Sequence, residues 1–216
     1  MDKSSVFGFP EHKFHVVYNA AESDFMIWEG GEAFREKVGI QGSYVLNVAN
    51  VEPRKNQLRF MEALRKERPD LTLVVVGNVR DSAYARACEN AGEGRWKAVG
   101  SLPYASRLMR SAMGGCEFFA MPSLLETPSI AAIEAAAAGA RIVLTGEGST
   151  REYFGDTVIY VDPGSDDSMR RGIRLAPETD PERSMWLARD RYLWPKVMPA
   201  MLAVYASLLP NRVSAQ

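Results

Sequence analysis

Two cysteines and two histidines are the whole thiol and imidazole supply of this chain, and both histidines, His12 and His15, stand near its start. Spaced Cys/His pairs of the kind that hold zinc therefore cannot be assembled. Cys88 and Cys116 both fall inside expected core elements, which reads as two reduced, partly buried thiols in a reducing compartment. Long apolar runs are missing too. Nothing approaches the ~18 residues of a membrane span, and the first residues lack the layout of a signal peptide. A soluble, cytoplasmic protein is the expectation. Neither sign of charge is in excess, with 26 Lys and Arg against 27 Asp and Glu. That balance makes no electrostatic case for nucleic acid or an anionic membrane as the main partner. A G-x-S-x-G elbow, a P-loop and a G-x-G-x-x-G after the first strong strand are all absent, which argues against the serine hydrolases and the common ATP and dinucleotide signatures.

What is present is regular alternation. The 216 residues suffice for one substantial domain burying roughly 70% of its unfolded surface. Residues 1–13 carry little pattern and read as an arm. Residues 15–18 (HVVY) are a short strand candidate, and residues 29–38 a small helix ended by Gly39. Strands then follow at 44–49, 71–77, 96–100, 117–121, 141–145 and 158–161. Between and after them lie helices at 54–67, 81–91, 104–113, an Ala-rich one stopped by Gly139, and then 167–176, 182–192 and 195–209. Continuous apolar strands alternating with helices predict an α/β fold, a parallel sheet covered on both faces. Residues 14–181 would form its body and residues 182–216 the C-terminal helices of the same domain. Ligands of open parallel sheets bind beyond the carboxyl ends of the strands. The loops at 50–55, 77–78, 99–100, 122–129 and 146–152 are therefore the candidate site walls.

The stretch at 122–134 (PSLLETPSIAAIE) carries the strongest chemistry. It reads as the end of a buried strand, a loop and the first turns of a helix, with Glu126 and Glu134 eight residues apart. Thr127 fits an N-cap and Pro128 the first helical position. The free N–H groups of that first turn, around Thr127, Pro128, Ser129 and Ile130, would suit an anion such as a phosphate. Glu134 is the only charge between Ile130 and Ala140, set among alanines, where a carboxylate wants donors; two adjacent ribose hydroxyls would serve. A helix acid on a solvated face is the alternative for Glu134, and a plain loop acid for Glu126. Arg54 and Lys55 open a helix just past a strand end, so their charges could converge on the same phosphate. An ordinary solvated Arg–Lys pair is the alternative there.

These residues resemble a known family. The series YVLNVANVEPRK (44–55), LVVVG (73–77), FFAMPSLLETPSIAAIEAAAAG (118–139) and GSTRE (148–152) is similar to the C-terminal, donor-binding domain of group 1 retaining glycosyltransferases. The resemblance runs from about Phe14 to Leu209, including a linker-like FHVVYNAAE and a terminal W-x-K-V…Y segment at 194–205. It implies the GT-B architecture, of which this chain would be one Rossmann-like, doubly wound half. It also implies roles. Lys55 would contact the diphosphate of a nucleotide-sugar donor (UDP-, GDP- or ADP-linked), Glu134 the ribose hydroxyls, and Glu126 the donor sugar beside the anomeric centre. Gly77 and the Val99–Gly100 loop would let the nucleotide lie close to the backbone. No metal or other cofactor is implied, since cations and the helix terminus replace a divalent ion.

Three departures from the family pattern stand out. Ala49-Asn50 occupies the place of the family's Gly-Arg pair, which removes a phosphate cation that Arg54 would have to replace. Thr127-Pro128-Ser129 stands where Gly-Phe-Gly is usual. The family's N-terminal domain, which supplies the acceptor site, has no counterpart in these 216 residues. A donor half that binds but does not turn over is the leading expectation. It would partner that N-terminal domain, with peripheral membrane association through it, and polysaccharide assembly as the class of process. A non-catalytic nucleotide-sugar binding module, favoured by Asn50, and a GT-B-like epimerase or phosphorylase fragment are the alternatives. The terminal helix, with Trp194, Met198 and Tyr205, is expected to leave apolar surface uncovered.

Overall fold

The computed structural model describes Pro10 and residues 13–209. His12 and most of the expected arm, with residues 210–216, lie outside the described residues. Six strands, β1 (Tyr44–Val48), β2 (Thr72–Val76), β3 (Trp96–Ala98), β4 (Phe118–Met121), β5 (Ile142–Thr145) and β6 (Ile159–Val161), form one sheet. Its order is β3-β2-β1-β4-β5-β6, and every neighbouring pair is parallel. That is the order of the doubly wound, Rossmann-like α/β fold, with its topological switch point between β1 and β4. The helices are α1 (Glu32–Val38), α2 (Gln57–Glu67), α3 (Ser82–Gly92), α4 (Arg107–Gly114), α5 (Ile130–Ala137), α6 (Thr150–Phe154), α7 (Asp166–Leu175), α8 (Pro181–Arg191) and α9 (Trp194–Leu208).

Alternation along the strands feeds two cores. Tyr44, Leu46, Val74, Phe119 and Leu144 pack with α4, α5 and α8 on one face. Val45, Leu73, Val75, Phe118 and Val143 pack with α2 and α7 on the other. Both faces are dry, as a parallel sheet between helix layers requires. On the first face, Ala132, Ala135, Ala136 and Ala137 of α5 are fully buried. Side chains this small bring the helix axis close to the sheet, so the backbone at the start of α5 comes down onto the switch point.

Three local expectations change. Residues 15–18 form no strand. The edges of the sheet are β3 and β6, and this segment instead packs through Tyr18, whose ring meets Tyr153 edge-on at 5.1 Å and Tyr192 at 5.5 Å. Its end is tied down at Ala21, which donates to Tyr192 O (2.8 Å) and accepts from Trp194 N (3.1 Å). Arg54 and Lys55 do not open α2. They belong to a separate 3-10 turn, Pro53–Lys55, and Asn56 in the left-handed conformation (φ 58°) separates that turn from the helix. Asn56 adopts this conformation while its amide donates to Pro122 O (3.1 Å) and Pro163 O (3.0 Å), so tertiary bonds override helix continuation. Thr127 and Pro128 likewise lie outside α5, whose N-cap is Ser129.

Candidate functional site

The loops that leave β1 and β4 meet over the switch point. Leu124 N donates to Arg54 O (3.0 Å), which joins the two backbones. Beside that bond, Lys55 Nζ donates to Glu126 Oε1 at 2.6 Å, with both side chains largely buried. The 3-10 turn aims Lys55 inward; a continued helix would have carried it along α2. Glu126 is fixed from its other side by the loop after β5. Its N–H donates to Glu147 O (3.2 Å), its carbonyl accepts from Ser149 N (3.1 Å), and a Cβ on Gly148 would collide with that carbonyl. The 148–152 segment singled out in the sequence is thus a clamp on Glu126.

Asn50, Arg54, Lys55 and Gly77 line one cavity of about 400 Å3, together with Ser101 and Leu102 from the loop after β3. Gly77 is required by close approach, because a Cβ would strike the Ala49 carbonyl. Gly100 accepts from Gly77 N (2.9 Å) and Val99 donates to Val75 O (3.0 Å), so these two pair with the end of β2 next to Gly77, and neither is among the residues that line the cavity. Lys55 is the inward cation. Arg54 turns its guanidinium to Glu52 Oε1 (3.1 Å) and is half exposed. Asn50 takes part through its carbonyl, which accepts from Gln57 Nε2 (2.9 Å). Gln57 also donates to Asn47 Oδ1 (3.2 Å), whose amide donates to Ala120 O (2.7 Å). This buried chain of amides ties β1 to β4 beneath the cavity.

At the start of α5, Ser129 has φ 71° and caps the helix with no side-chain bond. Its carbonyl accepts from Ala132 N (3.0 Å) and Ile133 N (3.3 Å). The first-turn amides of Ile130 and Ala131 have no intrahelical acceptor. The buried hydroxyls of Ser123 and Ser129 have no hydrogen-bond partner in the protein. Unsatisfied donors around a helix N-terminus suit an anion.

Glu134 sits one turn further along α5, only 5% exposed. Burial pushes its carboxyl up to about 7, and the Tyr104 hydroxyl that faces it pulls the other way. Tyr104 belongs to the loop between β3 and α4, 30 residues away, and sequence reasoning missed it. The sequence pattern places Tyr104 at the start of a helix over 104–113, whereas that helix begins at Arg107 and Tyr104 lies in the loop before it.

The switch-point loops of this doubly wound α/β domain thus gather an inward lysine, a clamped carboxylate and a helix N-terminus whose first amides have no intrahelical acceptor. The chain belongs to the glycosyl transferases group 1 family, which it matches over residues 32–191. A Campylobacter jejuni protein, N-acetylgalactosamine-N,N'-diacetylbacillosaminyl-diphospho-undecaprenol 4-alpha-N-acetylgalactosaminyltransferase, is 27% identical over 187 residues, 83% of this chain and 48% of its own length. An uncharacterized glycosyltransferase of Methanocaldococcus jannaschii is 29% identical over 180 residues, 78% of this chain and 46% of its own. The chain thus spans about half the length of the curated relatives it matches. In fold it is similar to HepE of Anabaena in complex with UDP and glucose, with TM-score 0.79 at 19% identity, covering 93% of this chain and 59% of that one. A glycosyltransferase from Rickettsia africae gives TM-score 0.82 at 17% identity, covering 94% and 59%.

Proposed function

We propose that this chain is the donor-binding half of a retaining glycosyltransferase, which moves a sugar from a nucleotide-diphosphate sugar to a saccharide or lipid-linked acceptor. The observation that carries this reading is the Lys55–Glu126 contact at the switch point, beside the free first turn of α5. Lys55 serves the diphosphate. An ammonium has three donors, so Lys55 can keep its bond to Glu126 and still reach a phosphate oxygen. As the diphosphate leaves, its growing charge is met by Lys55 and by the amides of Ile130 and Ala131, fixed in advance and needing no reorganisation. Thr127 and Pro128 lead the backbone to Ser129, which starts that turn. Glu126, held by Gly148 and Lys55, takes the sugar side. Glu134 takes the ribose hydroxyls, and Gly77, Val99 and Gly100 admit the nucleotide along the backbone. The arrangement works without a divalent ion.

HepE was solved with UDP and glucose, which supports a nucleotide-sugar donor here, and the Campylobacter relative's name supports a lipid-diphosphate acceptor class. The half-length match supports a partner N-terminal GT-B domain that completes the acceptor site. Asn50, where the family carries Arg, favours a second reading: a binding module without turnover.

The test is calorimetric titration of the chain with UDP, GDP and ADP and their sugars. One nucleotide should bind, Glu134→Ala should abolish binding, and Lys55→Ala should weaken it about 10- to 100-fold, the loss of one charge-assisted bond to phosphate. Binding that ignores Glu134→Ala would remove the ribose assignment. Turnover after the N-terminal half is supplied separates the transferase from the binding module.

A further inference from the structure

Two cations, Arg54 and Lys55, line the cavity at the switch point, and no carboxylate lines it with them. Glu52 is outside that lining, yet it holds both. Its carbonyl accepts from Lys55 N (3.0 Å) and so closes the 3-10 turn on which the cations sit. Its carboxylate Oε1 accepts from Arg54 Nη2 (3.1 Å). Both ends of the turn are anchored. Val51 N donates to Asn78 O (2.9 Å), and Val51 O accepts from Arg80 N (3.1 Å) and Asp81 N (3.3 Å), which fastens the near end to the loop after β2. At the far end, Arg54 O accepts from Leu124 N (3.0 Å). Pro53 lies between these anchors with its φ fixed by the ring, so the backbone of the turn is set. The Arg54 side chain is the part with freedom left. It is 55% exposed, and among the described residues Glu52 alone bonds its guanidinium.

We propose that Glu52 is a positioning residue for the diphosphate of the donor: its carboxylate holds the Arg54 guanidinium at the cavity wall, where that group supplies the phosphate charge missing at Asn50. The inference rests on the donor-binding reading above and adds Glu52, acting through Arg54, to it. Arg54 lines the cavity with its bond to Glu52 intact, so no rearrangement has to bring it in. A guanidinium has five N–H donors, and one bond to Glu52 leaves four for phosphate oxygens. The neighbouring groups leave this task open. Asn50 carries no charge, and its carbonyl is taken by Gln57 Nε2 (2.9 Å). Lys55 divides its charge with Glu126 at 2.6 Å. Ordering a free Arg side chain on binding costs conformational entropy, and a partner that orders it beforehand removes part of that cost. The Glu52 charge itself opposes an incoming anion, so positioning and charge act in opposite directions. Substitution separates them: Gln keeps an acceptor at Oε1 and drops the charge, whereas Ala drops both.

The test is calorimetric titration with UDP, GDP and ADP, continued at low and high salt with whichever binds. Arg54→Ala should weaken binding about five- to tenfold and flatten its salt dependence, since one charge facing the phosphates is gone. Glu52→Ala should weaken it about threefold, while Glu52→Gln binds at least as tightly as wild type, because the acceptor stays and the opposing charge goes. In the Arg54→Ala chain, adding Glu52→Ala should weaken nothing further, as expected of a residue that acts through Arg54. Tighter binding by Glu52→Ala would make Glu52 a competitor of the ligand and overturn the proposal. So would a further loss from Glu52→Ala when residue 54 is already Ala, or weaker binding by Glu52→Gln, the variant least able to disturb the turn. Unchanged affinity or unchanged salt dependence in Arg54→Ala would overturn it as well, and leave the donor-site reading to stand on Glu134→Ala and Lys55→Ala. No binding of any of the three nucleotides by the wild-type chain would overturn this inference together with the donor-site reading.

Discussion

A carboxyl group buried against alanines, with one phenolic hydroxyl facing it, holds its proton to about pH 7 where a free one releases it near 4.5. Between those values folded Glu134 binds a proton that the unfolded chain has lost, so its contribution to stability falls as pH rises and levels off above about 7. The ionised carboxylate thus destabilises the fold above that pH, and under the proposed donor-binding role that would be the cost of the charge offered to the ribose. Glu134→Gln removes the ionisation. It should raise the unfolding free energy by as much as about 3 kcal/mol at pH 8 and by almost nothing at pH 4.5. Urea unfolding of both proteins at the two pH values checks this; an equal gain at both would trace the effect to packing instead of charge. Lys55 and Glu126 solve the same problem differently, by pairing at 2.6 Å. Breaking that pair leaves a buried charge, so the Lys55→Ala protein used in titration needs its folding verified.

The elements divide into those that local sequence decides and those it does not. Strands such as TLVVV of β2 are apolar on both faces and were legible at once, as was the alternation that makes the sheet parallel. The candidate loops followed from the strand ends. Residue type and order drew attention to Lys55, Glu126 and Glu134, and the family resemblance to Gly77. The structure puts the Lys55–Glu126 pair where the loops after β1 and β4 meet. What stayed hidden was set by contacts distant in sequence. Asn56 breaks the chain between Lys55 and α2 because its amide reaches Pro122 and Pro163. Alpha-helix α5 starts two residues later than Thr127-Pro128 suggests because Glu126 is clamped to the loop at Gly148, and residues 127–129 are spent leaving that clamp. Tyr104 has no local signal linking it to Glu134. The late start carries a measurable cost, since Ser129 takes φ 71°, a conformation that suits glycine, and leaves its hydroxyl buried without a partner. Ser129→Gly should therefore stabilise the chain by about 1 kcal/mol and raise its Tm by a few degrees, as thermal unfolding would show. A loss of stability would mean that the hydroxyl is bonded after all.

Across the whole molecule, the uneven distribution of buried surface matters most. The sheet is dry on both faces, whereas α9 buries only Val197. Met198, Leu202 and Tyr205 recur at intervals of four and three residues, the spacing of one helical face, and all are exposed, Leu202 and Tyr205 to about 60%; Leu209, just past the helix end, is exposed too. Among the described residues no helix is long and apolar enough to cross a membrane, so this stripe is a surface feature. It agrees with the expectation that the terminal helix leaves apolar surface uncovered. At roughly 25 cal/mol per Å2, covering four such side chains would stabilise a contact by several kcal/mol before the entropy of association is charged against it. The chain should therefore self-associate weakly at high protein concentration and bind a hydrophobic dye. Leu202→Glu with Tyr205→Lys should suppress both, because it places charges in the middle of the stripe while touching nothing buried. Sedimentation velocity across a concentration series measures the first effect, and circular dichroism verifies that the helix survives. A wild-type chain that stays monomeric at every concentration, with dye binding unchanged in the variant, would show that α9 lies against the protein in solution and that its apolar face is already covered.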